Sequence, residues 1–220
     1  MGEAGWDRAR WLWWLAQLGG ISFFIAVFQR LDGPAIWAWK TSGVGLLAVW
    51  AAANAREKNG WLIAAVLGFG ALGDWLLDAK GLIAGASAFA VGHIIAITLY
   101  LLNRRATMTP SQRLLGWLTM PATLAIVWGM LSPQPGWWHA AVYSLFVAAM
   151  AAAAWTSRFP RYRTGIGAML FLASDLFIFA GEGSVLSKDV TMWLVWPLYF
   201  GGQALIAWGV VSTLAKEAKA

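Results

Sequence analysis

The chain has 220 residues, of which 60% are hydrophobic and only 12% charged; soluble domains run at roughly 45–50% apolar and about 25% charged. So few charges cannot cover a soluble fold of this length, which excludes a free globular enzyme and a disordered or highly charged scaffold. The absence of Cys removes any disulfide framework, thiolate metal site or cysteine nucleophile, while the net charge of +6 invites a nucleic-acid reading.

Eight apolar runs are long enough to cross a bilayer about 30 Å thick as helices. In chain order they are Trp11–Phe28, Pro34–Ala53, Trp61–Leu77, Leu82–Leu102, Leu114–Leu131, Trp137–Thr156, Gly165–Ala180 and Met192–Leu214. Short polar breaks separate them, and they lack the alternation of ten-residue barrel strands. The expected fold is all-α: a polytopic integral membrane protein whose residues 1–220 form one transmembrane helical domain. The first run has no cleavage signature and reads as a retained helix.

Lys and Arg sort by alternate loops. One side carries twelve (Arg8, Arg10, Arg56, Lys58, Arg104, Arg105, Arg113, Arg158, Arg161, Arg163, Lys216, Lys219) and the other three (Arg30, Lys80, Lys188). Basic residues stay on the cytoplasmic side, so both termini are expected there. This bias explains the positive charge without nucleic acid. Nine tryptophans sit at span ends (Trp11, Trp13, Trp14, Trp37, Trp61, Trp137, Trp138, Trp193, Trp196), where indoles anchor to headgroups. Gly68, Gly70 and Gly73 on span three, Gly85, Ala88 and Gly92 on span four, and Ala148–Ala154 on span six suit close helix packing.

Span three carries Gly73-Asp74 and span seven Ser174-Asp175, both running outward from the cytoplasm and four spans apart. This spacing suggests a parallel duplication of four helices. An ionisable group inside a span costs about 2.5–3.5 kcal/mol on insertion scales and generally marks a pathway or site. Lys40, Asp74 and Asp175 are the clear cases, while Asp78 and Glu182 fall at span ends where water reaches. At 1.5 Å per residue Asp74, Asp175, Lys40, Tyr143 and Tyr199 lie about 6–10 Å below the outer ends of their spans, and His93 and Gln203 roughly 16–18 Å. Tyr199 and Gln203 share a helix face, as do His139 and Tyr143. Two histidines on distant spans give no metal-ligand spacing.

Three readings accommodate these charges. A proton- or cation-coupled transporter of lipids or small molecules also uses intramembrane Asp and Lys with a parallel repeat, and Pro121 is the main candidate for its broken helix. A retinal-type photoreceptor would need Lys40 as its Schiff base. A membrane hydrolase would use the aspartates.

In order along the chain, Lys40, Gly73-Asp74-Trp75-Leu76-Leu77, Gly81, Phe89, His93, Tyr143 with Met150, Gly167-Ala168-Met169-Leu170-Phe171-Leu172-Ala173-Ser174-Asp175 and Tyr199-Phe200-Gly201-Gly202-Gln203 resemble the motifs of the YhhN family of lysoplasmalogenases. One departure is Ala96 and Ile97, where that family often carries a tyrosine; here Tyr100 comes seven residues after His93. The resemblance implies a multi-pass hydrolase of a bacterial inner membrane, with a lysophospholipid substrate taken from membrane lipid. It would cleave a vinyl ether to a fatty aldehyde and glycerophosphocholine or glycerophosphoethanolamine.

That chemistry protonates the β-carbon of the vinyl ether, forms an oxocarbenium ion, adds water, and collapses a hemiacetal. It needs a proton donor, a group favouring positive charge and a water activator, which two carboxyls in different ionisation states supply in glycosidases. Asp74 and Asp175 are the expected acid/base pair. Lys40 either holds one of them ionised or meets the substrate phosphate, while His93, Tyr143, Tyr199 and Gln203 position water and headgroup. The scheme requires neither cofactor nor metal.

Overall fold

The computed structural model describes residues 9–219, so Arg8 of the basic set lies outside the described residues. The chain forms α1 (Arg10–Ser22), α2 (Phe24–Gln29), α3 (Pro34–Asn54), α4 (Lys58–Lys80), α5 (Leu82–Leu102), α6 (Pro110–Leu131), α7 (Trp137–Thr156), a π-helical turn at Arg161–Gly165, α8 (Ile166–Glu182) and α9 (Lys188–Glu217). The α1 and α2 segments are one rod, because Phe23 between them keeps helical angles of −60° and −20°.

Local sequence explains most helix ends. Pro34 and Pro110 occupy the first turns of α3 and α6, where a missing N–H costs nothing. A capping box starts α6: Thr109 Oγ1 accepts from the Gln112 amide, and the Gln112 side chain accepts from the Thr109 amide. Between α4 and α5 the chain reverses at a single residue, Gly81, whose φ of 91° suits glycine alone. The predicted break at Pro121 does not form. Both α6 and α9 run unbroken through their internal prolines, Pro121 and Pro197.

Among the described residues, seven rods are long and apolar enough to cross a membrane. They are Arg10–Gln29, α4, α5, α6, α7, Arg161–Glu182 and α9. At 21 residues α3 has the length, but it carries Lys40, Thr41 and Ser42 and is not among them. The expected count of eight is therefore met by seven, with α3 packed between α1 and α4.

Five helices close a ring: α4 packs on α5, α5 on α7, α7 on α8, α8 on α9, and α9 back on α4. The α3 helix lies outside α4 and α6 outside α7. Small residues set the closest seams. A Cβ on Gly167 would stand 2.6 Å from the Gly202 carbonyl oxygen, and one on Gly202 equally close to that of Gly167, so α8 and α9 meet backbone to backbone. On α4, a Cβ at Gly73 would meet the Phe89 ring at 2.8 Å.

Most of the tryptophans assigned to the belt are exposed or half-buried, but Trp196 is a correction. It is only 4% exposed and donates its indole N–H to the Gly20 carbonyl at 2.8 Å. A buried indole needs such a partner, and the α1–α9 seam provides it.

Candidate active site

The ring interior collects the long polar side chains on five helices, in two clusters rather than one layer. On α8, Asp175 is 6% exposed. The Tyr143 hydroxyl, from α7, donates to its Oδ2 at 2.8 Å, and the Ser174 hydroxyl lies 3.4 Å from its Oδ1. His93, from α5, places Nε2 at 3.3 Å from the Tyr143 oxygen. With the tyrosine proton committed to Asp175, His93 Nε2 is the donor in that contact. The three groups form a chain of exchangeable protons, His93–Tyr143–Asp175.

The second cluster belongs to Asp74 on α4, which is 2% exposed. Tyr199 from α9 donates to its Oδ2 at 2.9 Å and lies 3.4 Å from the Gly70 carbonyl. Gln203, one turn further along α9, is buried beside Gly70. Among the described residues, Gln203 Oε1 and the Tyr100 hydroxyl are buried without a hydrogen-bond partner. Both residues, with His93, line a small cavity of about 10 Å³.

No hydrogen bond joins Asp74 to Asp175 among the described residues. Aromatic rings lie between their clusters. Phe171 meets Tyr199 edge-on at 5.1 Å and His93 at 5.0 Å, and Phe89 meets Phe171 at 5.9 Å and Tyr199 at 5.8 Å. Phe89 and Phe171 form the partition that the sequence spacing did not reveal.

Among the described residues Lys40 makes no hydrogen bond to either cluster, although its partner lies one turn from Asp74. Its ammonium donates to the two carboxylate oxygens of Asp78 at 2.8 and 2.9 Å, with side chains 14% and 25% exposed. Asp78 belongs to the last turns of α4 rather than to a wet loop, four residues after Asp74 and so on the same face. That spacing was the available signal for the pair. Glu182 is exposed and pairs with Lys188 at 3.1 Å. Among the described residues, no three His, Asp or Glu side chains gather as a metal set.

The larger cavity, about 270 Å³, is lined by α4, α5, α7 and α8. Apolar side chains make nearly all of its wall, including Ala86, Phe89, Ala90, Val142 and Phe146. Asp175 and Tyr143 reach this wall; Asp74 and Tyr199 do not. Ile83, Trp138 and Val142 at its edge are exposed, so it opens on the outer face of the bundle between α5 and α7. A bundle in a bilayer would thus offer a lipid chain a sideways entrance to one buried carboxyl.

Known proteins resemble this chain over most of its length. Two curated relatives, each named lysoplasmalogenase, come from Mycobacterium bovis (strain ATCC BAA-935 / AF2122/97) and Mycobacterium tuberculosis (strain CDC 1551 / Oshkosh). Each is 29% identical over 219 residues, covering 93% of this chain and 83% of the relative. No solved structure matches the chain. The profile of the YhhN family matches from residue 35 to residue 210, a stretch that contains Lys40, both aspartates and every member of the two clusters. The chain belongs to the YhhN family.

Proposed function

We propose that this protein is a membrane-embedded ether hydrolase, a lysoplasmalogenase, that cleaves the vinyl ether of a lysoplasmalogen to a fatty aldehyde and glycerophosphocholine or glycerophosphoethanolamine. The observation that carries this reading is the apolar, sideways-opening cavity with a single carboxyl, Asp175, on its wall. Its walls suit one hydrocarbon tail, and two relatives bear the name of the activity.

In this mechanism Asp175 delivers a proton to the β-carbon of the vinyl ether. The oxocarbenium ion that forms faces the new carboxylate, which then takes a proton from the attacking water. One carboxyl thus acts as acid and then as base, as in retaining glycosidases. The hemiacetal collapses to aldehyde and alcohol, so one water is consumed and no redox change occurs. Tyr143 holds Asp175 in place, and His93 behind it orients Tyr143 through the same chain of hydrogen bonds. Asp74, held by Tyr199 with Gln203 alongside, contributes negative charge that favours the cation from across the Phe171 ring. Lys40 neutralises Asp78 at the end of α4. No cofactor takes part.

All eight rods cross the membrane in this reading, α3 included, with Lys40 neutralised by Asp78. Both termini are then cytoplasmic, in a bacterial inner membrane, and residues 1–220 form one domain. The helices α4 and α8 are parallel copies from a four-helix duplication, a reading that rests on Gly73-Asp74 and Ser174-Asp175 lying four spans apart. The substrate is a lysophospholipid drawn from the surrounding lipid, and nucleic acid plays no part.

The test is incubation of the purified protein with 1-alkenyl-glycerophosphoethanolamine, following aldehyde and glycerophosphoethanolamine by mass spectrometry. Equimolar release of both supports the hydrolase. Movement of lysolipid or protons across liposomes without either product would sink it in favour of a transporter.

A further inference from the structure

The cavity wall carries an imidazole that the mechanism leaves idle, His139. It lies in the first turn of α7, four residues before Tyr143, so the two share a helix face. They are separated by about 6 Å along the axis at 1.5 Å per residue. His139 Nδ1 is 2.9 Å from the Gly136 carbonyl oxygen. A carbonyl only accepts, so Nδ1 carries the hydrogen and Nε2 of the neutral ring is an acceptor. Stacking on Trp138, at 3.6 Å between ring centres and 26° between planes, restrains the imidazole. The hydroxyls on the wall have their hydrogens committed within the protein: Ser87 donates to the Ile83 carbonyl at 2.8 Å, and Tyr143 to Asp175. Among the described residues no donor reaches His139 Nε2, so on this wall it is an acceptor open to a ligand hydroxyl.

A lysoplasmalogen carries such a hydroxyl at a fixed distance. From the β-carbon that receives the proton to the oxygen on the central glycerol carbon there are five bonds, about 6 Å when extended. This matches the step from Tyr143, which marks the height of Asp175, to His139. The remaining lining fits the same pose, because Ala90 and Phe146 lie deeper along α5 and α7 and leave room for the alkenyl tail.

We propose that His139 Nε2 accepts a hydrogen bond from the free glycerol hydroxyl of the substrate and thereby selects lysolipids over 2-substituted lipids. This assignment rests on the hydrolase reading above. A substituted oxygen has no hydrogen to donate, and binding it would leave the imidazole nitrogen facing an ether or ester oxygen. Sites built to bond a hydroxyl discriminate strongly against analogues lacking it.

The experiment compares kcat/KM of the full-length protein on 1-alkenyl-2-lyso-glycerophosphoethanolamine and on its 2-deoxy analogue. The wild type is expected to prefer the hydroxyl substrate about tenfold, mostly through KM, as one well-made hydrogen bond allows. In His139→Phe, which keeps a ring on Trp138, that preference falls to near one. His139→Gln, which restores an acceptor, recovers part of it. Equal wild-type turnover of the two substrates, or an undiminished preference in His139→Phe, overturns the assignment. So does a preference that follows removal of the phosphate instead of the hydroxyl. Failure of the wild type to hydrolyse either substrate would sink the hydrolase reading and this inference together.

Discussion

Tyr143 donates its hydroxyl hydrogen to Asp175 at 2.8 Å across the seam between α7 and α8, at the wall of the 270 Å³ cavity. The tyrosine thus fixes the carboxyl at Oδ2, while the Ser174 hydroxyl lies 3.4 Å from Oδ1. Asp74 has a matching tyrosine, Tyr199, but no access to that space. The two aspartates are chemically alike and placed for different tasks.

Their substitution should separate those tasks. Asp175→Asn is expected to lower kcat by about 10²–10⁴-fold, the usual contribution of a positioned acid/base group. Asp74→Asn should lower it by about 10²-fold or less, since its charge acts from beyond the aromatic partition. Aldehyde release by folded, detergent-purified variants measures both. Equal losses would contradict the division of roles, and full turnover by Asp175→Asn would remove it from the mechanism.

Tyr143→Phe keeps the ring against His93 and removes the bond to Asp175. Interhelical hydrogen bonds in membrane proteins contribute about 0.6 kcal/mol on average, with a maximum near 1.7. A small drop in thermal midpoint is therefore expected, alongside a loss in kcat of about tenfold or more as Asp175 loses the bond that orients it. If turnover is unchanged while the midpoint falls, the tyrosine only supports the fold.

Lys40 and Asp78 test a structural ion pair against a phosphate contact. Removing one partner of a partly buried pair strands the other charge, whereas replacing both by apolar groups is often neutral. Lys40→Met alone should destabilise the protein, by about 3 kcal/mol at most given the residual exposure. Adding Asp78→Leu should recover most of that loss. The double variant should bind substrate with a near-normal KM. A large rise in KM in the stable double variant would instead show that Lys40 meets the substrate.

Ala90 lies on the cavity wall, two turns into α5 and at the depth assigned to the alkenyl tail. Ala90→Phe adds a ring into that space. Turnover should shift towards shorter alkenyl chains, with KM for long chains raised about tenfold or more, since each methylene excluded forfeits about 0.8 kcal/mol of burial. A chain-length profile identical to wild type would show that the tail lies elsewhere.

Much of the fold is legible because a bilayer demands it. Runs of apolar residues near span length, Pro34 and Pro110 at helix starts, and Gly81 at a one-residue reversal mark the helices to within a few positions. Asp74, Asp175 and Lys40 show against that background because charge inside a span is costly. These are one-dimensional signals: a local pattern and a local penalty produce them.

Rotation about each helix axis leaves no such trace. Depth estimates put Tyr143, Tyr199 and both aspartates in one layer, yet they belong to two clusters, because depth says nothing about which way a residue faces. The pairing of Lys40 with Asp78 and the burial of Trp196 depend on the neighbouring helix, as does the partition by Phe89 and Phe171. So does the contrast between Asp175 on the cavity and Asp74 behind it. The low charge content therefore located the ionisable groups along the chain. Close approach of the helices at Gly73, Gly167 and Gly202 then determined which of them meet, since packing at a seam turns each helix to one fixed face.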